Sequence, residues 1–292
     1  MSGLNVPLLT ITSRVRSDRD YTKIKLEEFE DKESRISLPQ NKKKKYIIIS
    51  GRVHPGETPA SWMMQGFLNY LCSDSYQSKQ LRKRIVFKII PMLNPDGVIV
   101  GNYRTSMAGC DLNRRYDEPD YRLHPTVWSI KKMTSDLLKG DPDKNIAPFI
   151  SEDDLVAFID LHGHSRKKSV FVFGPQVPLH NTKYLKMRVL PKLLSEETEM
   201  FRFHSCRFQN EKSKERAARI VLHKEFNICN CFTLEASFHG HFGKDNVNHE
   251  FTAAKYEEMG AALVNSLYEY VMIVEEDDRR KQFNKIERLK TK

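Results

Sequence analysis

The chain has 292 residues, of which 39% are hydrophobic and 29% are charged, and its formal net charge is +10. No apolar run approaches the roughly 20 residues needed to cross a bilayer, which argues against insertion into a membrane. The basic excess favours polyanionic partners, but the sequence has no zinc-finger, RNA-recognition or helix-turn-helix pattern, which argues against nucleic acid. Acidic peptide tails and acidic membrane surfaces remain as partners that this charge suits.

The cysteines and the first residues bear on the compartment. Five cysteines are scattered along the chain, and their odd number is typical of reduced thiols rather than of a disulfide framework. The start of the chain has only a short apolar patch with no basic region before it, which is unlike a signal peptide. We therefore expect a cytoplasmic protein.

Strand-like and helix-like patterns alternate along most of the chain. The strand-like segments are, in order, LLTIT (8–12), YIIIS (46–50), IVFKIIPML (85–93), LVAFIDLHG (155–163), SVFVFG (169–174) and NCFTLEASF (230–238). Several are almost continuously apolar, which is typical of strands covered on both faces. Helical patterns lie at 59–72, 125–139, 182–200 and 251–275. This alternation predicts an α/β fold, with helices covering both faces of a parallel or mixed sheet.

Three segments lack this pattern. Residues 13–40 are polar and predict a surface excursion, and residues 201–222 predict a long loop of the kind that is often functional. Residues 275–292 are almost all charged and predict a helical extension or a disordered end. We expect one domain over 1–274, with N-terminal strands and the excursion at 8–50, followed by the charged C-terminal extension.

Four predicted strands end in unusual polar residues. The strand at 46–50 leads to His54 and Glu57, and the next leads to the motif NPDG. The strand at 155–163 leads to His162 and His164, and the last leads to Glu235. Ligands of open α/β sheets gather at the carboxyl ends of strands, so these side chains are predicted to share one rim.

Two histidines and a glutamate are a ligand set typical of catalytic zinc, which keeps one coordination position open. His54, Glu57 and one histidine from the distant strand would hold one zinc ion per chain. The sequence leaves open whether His162 or His164 is that ligand, and the other would orient a ligand or face the substrate. Glu235, outside the ligand set, would accept the proton of the attacking water.

Five motifs in this order, GRVHPGET, LNPDG, DLNRRY, DLHGHS and TLEASF, resemble those of zinc carboxypeptidases, over about residues 8–272. The closer resemblance is to the cytosolic carboxypeptidase branch, which removes glutamates from tubulin and other acidic tails. The resemblance implies a mixed, largely eight-stranded sheet sandwiched by helices. It also implies that 1–274 is the catalytic domain.

The resemblance assigns roles to particular positions. It implies that His54, Glu57 and His162 bind zinc and that Glu235 is the general base. Arg104 occupies the place of the arginine that polarises the scissile carbonyl, where its charge would stabilise the developing oxyanion.

Substrate binding is assigned in the same way. Asn113 and Arg114 match the pair that grips the terminal carboxylate, which a planar guanidinium binds with two parallel donors. Arg219 is the candidate for pairing with a glutamate side chain and is predicted to begin the strand leading to Glu235. Lys214 and Arg216 are predicted either to line this pocket or to form structural ion pairs.

The sequence also departs from the family pattern. It has RAAR where relatives carry a Gly-Thr-Gly-Arg or Gly-Thr-Ala-Arg stretch, and no tyrosine lies between Phe201 and Phe232 to assist catalysis as in digestive relatives. The chain also has no room for the β-rich N-terminal domain of the cytosolic branch, so that domain is expected to be absent.

The leading prediction is a zinc metallocarboxypeptidase that removes C-terminal or branch glutamates from tails such as polyglutamylated tubulin. Its expected location is the cytoplasm, on microtubules or in cilia. One alternative is an aspartoacylase-like zinc deacylase on the same scaffold. Another is a catalytically inactive module that binds acidic tails or microtubules.

Overall fold

The structure, a computed structural model, describes residues 3–13, 44–141, 146–243 and 247–290. Most of the predicted surface excursion at 13–40 lies outside the described residues. None of the described helices combines the length and the apolar character that crossing a membrane requires.

A mixed sheet forms the centre of the molecule. Its seven strands in the described residues are β1 (Leu9–Ile11), β2 (Lys45–Gly51), β3 (Ile85–Ile90), β4 (Leu155–His164), β5 (Val170–Gly174), β6 (Arg207–Phe208) and β7 (Asn230–Ser237). They are ordered β1-β3-β2-β4-β7-β5-β6. Strands β3, β2, β4 and β7 are parallel, whereas β1 and β5 are antiparallel to their neighbours β3 and β7.

Seven α-helices accompany the sheet in the described residues. They are α1 (Thr58–Leu71), α2 (Tyr76–Arg84), α3 (Pro95–Val100), α4 (Pro125–Lys139), α5 (Lys183–Glu197), α6 (Ala218–Phe226) and α7 (Ala253–Lys290). Apolar side chains of α1, α5 and α7 pack on one face of the sheet, and those of α4 and α6 pack on the other. Ile47, Ile48 and Ile49 of β2 are all fully buried, because each face is covered.

The mixed α/β fold and the six predicted strands are confirmed, with strand ends shifted by a few residues. The strand count differs from the eight that the resemblance implies. Two further strands, β8 (Gly240–Phe242) and β9 (Asn248–Glu250), pair with each other as a separate hairpin rather than extending the main sheet. Helix α7 continues without a break to Lys290, within the charged extension that was predicted from residue 275.

Two predictions about residues 201–222 are wrong. The segment is not a loop throughout, because α6 begins at Ala218. Arg219 therefore lies in the first turn of a helix and not at the start of a strand. The sequence pattern does not reveal this helix, because the helix is short and Ala217, at its N-cap, forms no side-chain capping hydrogen bond.

Candidate active site

The turn between β2 and α1 carries the first two candidate ligands. Arg52 adopts a left-handed backbone conformation with a φ of 56°. Its Nε donates to the carbonyl of Pro55 at 2.7 Å, and its Nη1 donates to Ser61 Oγ at 2.7 Å. These bonds hold the turn against the first helix and direct His54 and Glu57 to one side.

The motif LNPDG supports this turn from the neighbouring strand. Asn94 is buried and donates through Nδ2 to the carbonyl of Val53 at 3.1 Å. Its Oδ1 accepts from the backbone N–H of Gly97 at 3.0 Å and so caps helix α3. At Gly56, a Cβ atom would lie 2.4 Å from the ring of Tyr103, which explains why this position of the turn requires glycine.

His54, Glu57 and His162 lie together at the carboxyl edge of the sheet. Their candidate ligand atoms are all within 4.8 Å of one another, and all three side chains are buried. Glu57 Oε1 lies 2.7 Å from His54 Nδ1, and Glu57 Oε2 lies 2.9 Å from His162 Nδ1. Within the described ranges this is the single group of three or more such side chains that could hold a metal ion.

Two carboxylates orient the histidines. Asp160 Oδ2 lies 2.6 Å from His162 Nε2, and Asp111 Oδ1 lies 3.1 Å from His54 Nε2. A carboxylate only accepts hydrogen bonds, so each Nε2 donates to its carboxylate, and each Nδ1, which faces Glu57, is the nitrogen that would bind a metal ion in place of a proton. Asp160 is in turn held by Ser50, whose Oγ donates to Oδ1 at 2.7 Å.

The electrostatics of the three side chains suit a cation. Burial alone would raise the pKa of Glu57, but the charges and hydrogen bonds of His162 and His54 hold it well below its ordinary value. Burial alone would lower the pKa of His162, but Asp160 and Glu57 outweigh burial and raise it well above its ordinary value. Three carboxylates thus surround two imidazoles, so the donor set and its charge fit a zinc ion.

Glu235 lies beside this group without belonging to it. It stands directly opposite His162 in the parallel β4–β7 ladder, so the two side chains share one face of the sheet. Burial raises the pKa of Glu235 to about 7, although the charge of His162 opposes the rise. A bound dication would favour its ionised form. Glu235 is therefore a carboxyl group beside the candidate metal ligands whose protonation depends on whether a cation is bound.

Asp111 connects the metal centre with Arg104. Its Oδ2 accepts from Arg104 Nε at 2.9 Å and from Arg104 Nη2 at 2.8 Å. The third nitrogen of Arg104, Nη1, lies 3.9 Å from Glu57 Oε1. Asp111 was not assigned a role from the sequence, nor was Asp160. The sequence signal that could have identified them is their place in the motifs: Asp111 begins DLNRRY, two residues before Asn113, and Asp160 begins DLHGHS, two residues before His162.

The structure brings Asn113 next to the start of α6. Asn113 is buried, and its Oδ1 accepts from the backbone N–H of Ala218 at 2.9 Å. Arg114 donates through Nη1 to the carbonyl of Asn113 at 2.8 Å. The turn that carries both residues is therefore fixed to the helix that carries Arg219.

Arg219 is a buried guanidinium with unused donors. It is 3% exposed, and its Nε and Nη2 atoms have no hydrogen-bond partner. Its Cζ lies 5.4 Å from the ring centre of Phe173. Burial lowers the pKa of Arg219, and the negative charge of Glu235 opposes this effect. An arginine in this state is ready to receive an anion.

Thr233 is a second buried polar residue that sequence reasoning missed, on the same face of β7 as Glu235. It lies opposite Phe173 in the β5–β7 ladder, and its buried Oγ1 also lacks a hydrogen-bond partner. Its position two residues before Glu235 was the available signal, because alternate strand residues share a face.

The structure bears differently on Lys214, Arg216 and His164, for which the sequence left two roles open. Lys214 pairs with Glu211 at 2.8 Å and also places Nζ 5.0 Å from the Phe173 ring centre. Arg216 is exposed and pairs with Asp117 at 3.0 Å. Of its two predicted roles, a pocket residue or a structural ion pair, this contact is the ion pair. His164 lies outside the group of candidate ligands.

The mixed sheet, the buried His₂Glu set and the adjacent glutamate define a scaffold of the metallohydrolase class. The chain belongs to the zinc carboxypeptidase family: the model for that family, Peptidase_M14, matches residues 3–196.

Curated relatives point to one branch of this family. Cytosolic carboxypeptidase 2 of Danio rerio is 40% identical over 235 residues, which are 80% of this chain and 31% of that protein. Cytosolic carboxypeptidase 3 of Mus musculus is 39% identical over 251 residues, which are 85% of this chain and 23% of that protein. The chain thus spans less than a third of the length of these relatives.

Solved structures agree with the fold. A metallo-carboxypeptidase from Burkholderia cenocepacia has a TM-score of 0.67 at 22% identity, covering 82% of this chain and 60% of that one. A metallo-carboxypeptidase from Pseudomonas aeruginosa has a TM-score of 0.65 at 23% identity, covering 81% and 60%. At this level of identity the likeness concerns the fold alone.

Proposed function

We propose that the chain is a zinc metallocarboxypeptidase that releases C-terminal or branch glutamates from acidic protein tails, such as those of polyglutamylated tubulin. The observation that carries the proposal is Arg219, a buried cation with two unused donors that lies close enough to Glu235 to interact with its charge. A glutamate side chain would supply the missing acceptor. The names and sequences of the relatives support the same reaction class.

His54, Glu57 and His162 would hold the zinc ion, with Asp111 and Asp160 fixing the orientation of the two rings. When bound, zinc supplies Lewis acidity, which makes water a stronger nucleophile at neutral pH and polarises a carbonyl. Glu235 would accept a proton from the attacking water and then deliver it to the nitrogen of the leaving amino acid.

Arg104 would act where negative charge develops. Its Nε and Nη2 are engaged by Asp111, which leaves Nη1 beside Glu57 and directed to the side of the metal centre. A preorganised guanidinium at this place stabilises an oxyanion more than it stabilises the ground-state carbonyl.

The end of the substrate would be recognised by three side chains from the turn at 112–114 and helix α6. Asn113 and Arg114 would bind the terminal carboxylate, and Arg219 would bind the side-chain carboxylate. A substrate with an apolar terminal residue would leave Arg219 buried and unpaired, which is costly. Preference for glutamate therefore follows from the unused donors of Arg219.

The preference is tested with peptides that differ only in a terminal glutamate or leucine. We expect kcat/KM to be at least about a hundredfold higher for the glutamate peptide, and we expect Arg219→Met to remove most of this difference. Arg216→Met, which removes an exposed ion-paired arginine, is the matched control. Equal rates for the two peptides with the unaltered protein would contradict the proposed specificity.

A role confined to binding acidic tails finds less support. The proton-exchanging position and pKa of Glu235 would serve no purpose in a binding module. The proposed location is the cytoplasm, on microtubules or in cilia, where glutamylated tails occur.

A further inference from the structure

Two aromatic rings of β5, those of Phe171 and Phe173, form what we call the aromatic shelf. Phe171 lies opposite Glu235 in the β5–β7 ladder, so the shelf adjoins the active site. Lys167, from the turn between β4 and β5, places its Nζ 4.8 Å from the Phe171 ring centre and 5.7 Å from the Phe173 ring centre. The shelf therefore holds this lysine by cation–π contacts.

Lys167 differs from the other cations on the shelf. Lys214 is paired with Glu211, and Arg219 is the residue proposed to bind the terminal side chain. Lys167 forms no ion pair within the described residues, and its ammonium group contacts aromatic rings instead. Aromatic faces hold a cation without neutralising its charge, so the ammonium of Lys167 is available to an anion.

His164 adds a second donor at the same place. Its ring meets Phe171 edge to face, with ring centres 5.2 Å apart. Its Nδ1 lies 3.1 Å and 3.0 Å from the backbone nitrogens of Arg166 and Lys167. Backbone N–H groups only donate, so Nδ1 is the acceptor and the proton of the neutral ring is on Nε2. The turn thus selects the tautomer that has an N–H donor at Nε2.

We infer that Lys167 and the Nε2–H group of His164 form a second carboxylate-binding subsite, which takes the side chain of the residue preceding the terminal glutamate. The inference rests on the proposed function. Lys167 and Arg219 lie 5.7 Å and 5.4 Å from the same ring centre. Because both cations lie against one ring, a peptide end that bends there, so that its last two side chains point to the same side, can place one carboxylate at each cation. The substrate class is a chain that ends in two consecutive acidic residues.

The test compares two peptides that are identical except that one ends in Glu-Glu and the other in Ala-Glu. Release of the terminal glutamate is measured for both at low salt. We expect kcat/KM to be about tenfold higher for the Glu-Glu peptide, the combined effect of the contacts with Lys167 and His164. This comparison uses the unaltered chain and does not depend on the folding of any variant.

Three variants locate the effect. Lys167→Met keeps the apolar stem over the shelf but removes the charge, and we expect it to reduce the ratio of the two rates to about three, the share that the His164 donor supplies. His164→Asn keeps an acceptor for the two backbone N–H groups but removes the Nε2–H donor, and we expect the ratio to fall about threefold. Lys168→Met is the matched control, because Lys168 lies 4.7 Å over Phe242 and not on the shelf. It should leave the ratio unchanged.

The outcomes separate the two proposals. Equal rates for the two peptides, or a tenfold preference that persists in a folded Lys167→Met variant, would overturn the subsite and leave the proposed function intact. Release of glutamate from neither peptide would overturn the proposed function and the subsite with it. Thermal melting of each variant shows whether it is folded.

Discussion

Each histidine of the metal centre is held by a carboxylate that the metal would not touch. Asp160 contacts His162 Nε2 at 2.6 Å, and Asp111 contacts His54 Nε2 at 3.1 Å while it also binds Arg104. The carboxylates fix the ring orientation and the tautomer, and they add negative charge behind the ligands. Individual contacts of this kind decide how tightly the site would bind zinc.

Asp160→Asn tests this role. An amide carries no charge and can donate as well as accept, so it no longer enforces the Nε2–H tautomer of His162. We expect the affinity for zinc to fall about 10- to 100-fold, measured by competition with a chelator of known affinity. Ser50→Ala, which leaves the carboxylate in place, should have a smaller effect. An unchanged affinity in Asp160→Asn would contradict the role.

Arg219 illustrates a conflict between stability and function at a single residue. Its buried guanidinium has two nitrogens without hydrogen-bond partners, which costs free energy in the absence of substrate. We therefore expect Arg219→Met to raise the free energy of unfolding by about 1 kcal/mol while it impairs the release of glutamate.

Denaturation by urea measures the effect of Arg219→Met on stability. Arg216→Met is the control, because an exposed ion pair contributes little, and it should change the free energy of unfolding by less than about 0.5 kcal/mol. Lower stability of Arg219→Met would mean that the guanidinium makes net favourable contacts in the free protein.

At the scale of elements, α1 and α7 approach each other so closely that side chains are excluded. A Cβ atom on Gly66 would lie 2.0 Å from the backbone oxygen of Glu257, and one on Gly260 would lie 2.1 Å from that of Met63. Backbone atoms cannot move aside as the end of a side chain can. This contact holds the long C-terminal helix against the helix that follows the zinc-binding turn.

Gly66→Ala should therefore be destabilising by about 1–3 kcal/mol, the range of overpacked cores, as measured by urea denaturation. In an unobstructed helix the same change would stabilise by up to about 1 kcal/mol, so the sign alone is informative. Gln65→Ala, on the exposed side of the same turn, should change stability by less than about 0.5 kcal/mol. A Gly66→Ala variant more stable than the parent would contradict the close packing.

The elements that sequence patterns reveal are those with a continuous apolar signal. Strands β2 and β4 were predictable because both of their faces are buried, and α1 because its apolar residues recur at helical spacing. Helix α2 was missed because its interior is mostly polar, with Ser78 and Leu81 as its buried residues. Helix α3 was missed because its start, Asn94 followed by Pro95, was interpreted only as a motif.

The same contrast holds within the site. His54 and Glu57 were predictable because metal ligands need particular residue types at strand ends, whereas His162 was distinguished from His164 only by the family resemblance. Asp111, Asp160 and Thr233 were not, because their roles depend on which side chains meet in space. The sequence also placed Arg219 in the wrong kind of element while its residue type still indicated an anion pocket.

At the scale of the whole molecule, the net charge of +10 bears on how an acidic tail arrives. A positive field accelerates the encounter with a polyanion, and added salt screens that field. We expect kcat/KM for a polyglutamate-tailed peptide to fall several-fold between about 0.01 M and about 0.15 M salt, as the Debye length shortens from about 30 to about 8 Å. A peptide with one terminal glutamate and no other charge should be affected less. Equal salt dependence of the two peptides would exclude a contribution from the overall charge.

The central claim is that a zinc centre formed by His54, Glu57 and His162, with Glu235 as its base, removes glutamates from acidic tails. Mass spectrometry of glutamylated tubulin after incubation with the zinc-loaded chain tests it most directly, with Glu235→Gln as the control. We predict that the series of glutamate-chain masses shifts to shorter chains with the unaltered protein and stays unchanged with the variant. An unchanged series with folded, zinc-loaded protein would contradict the claim.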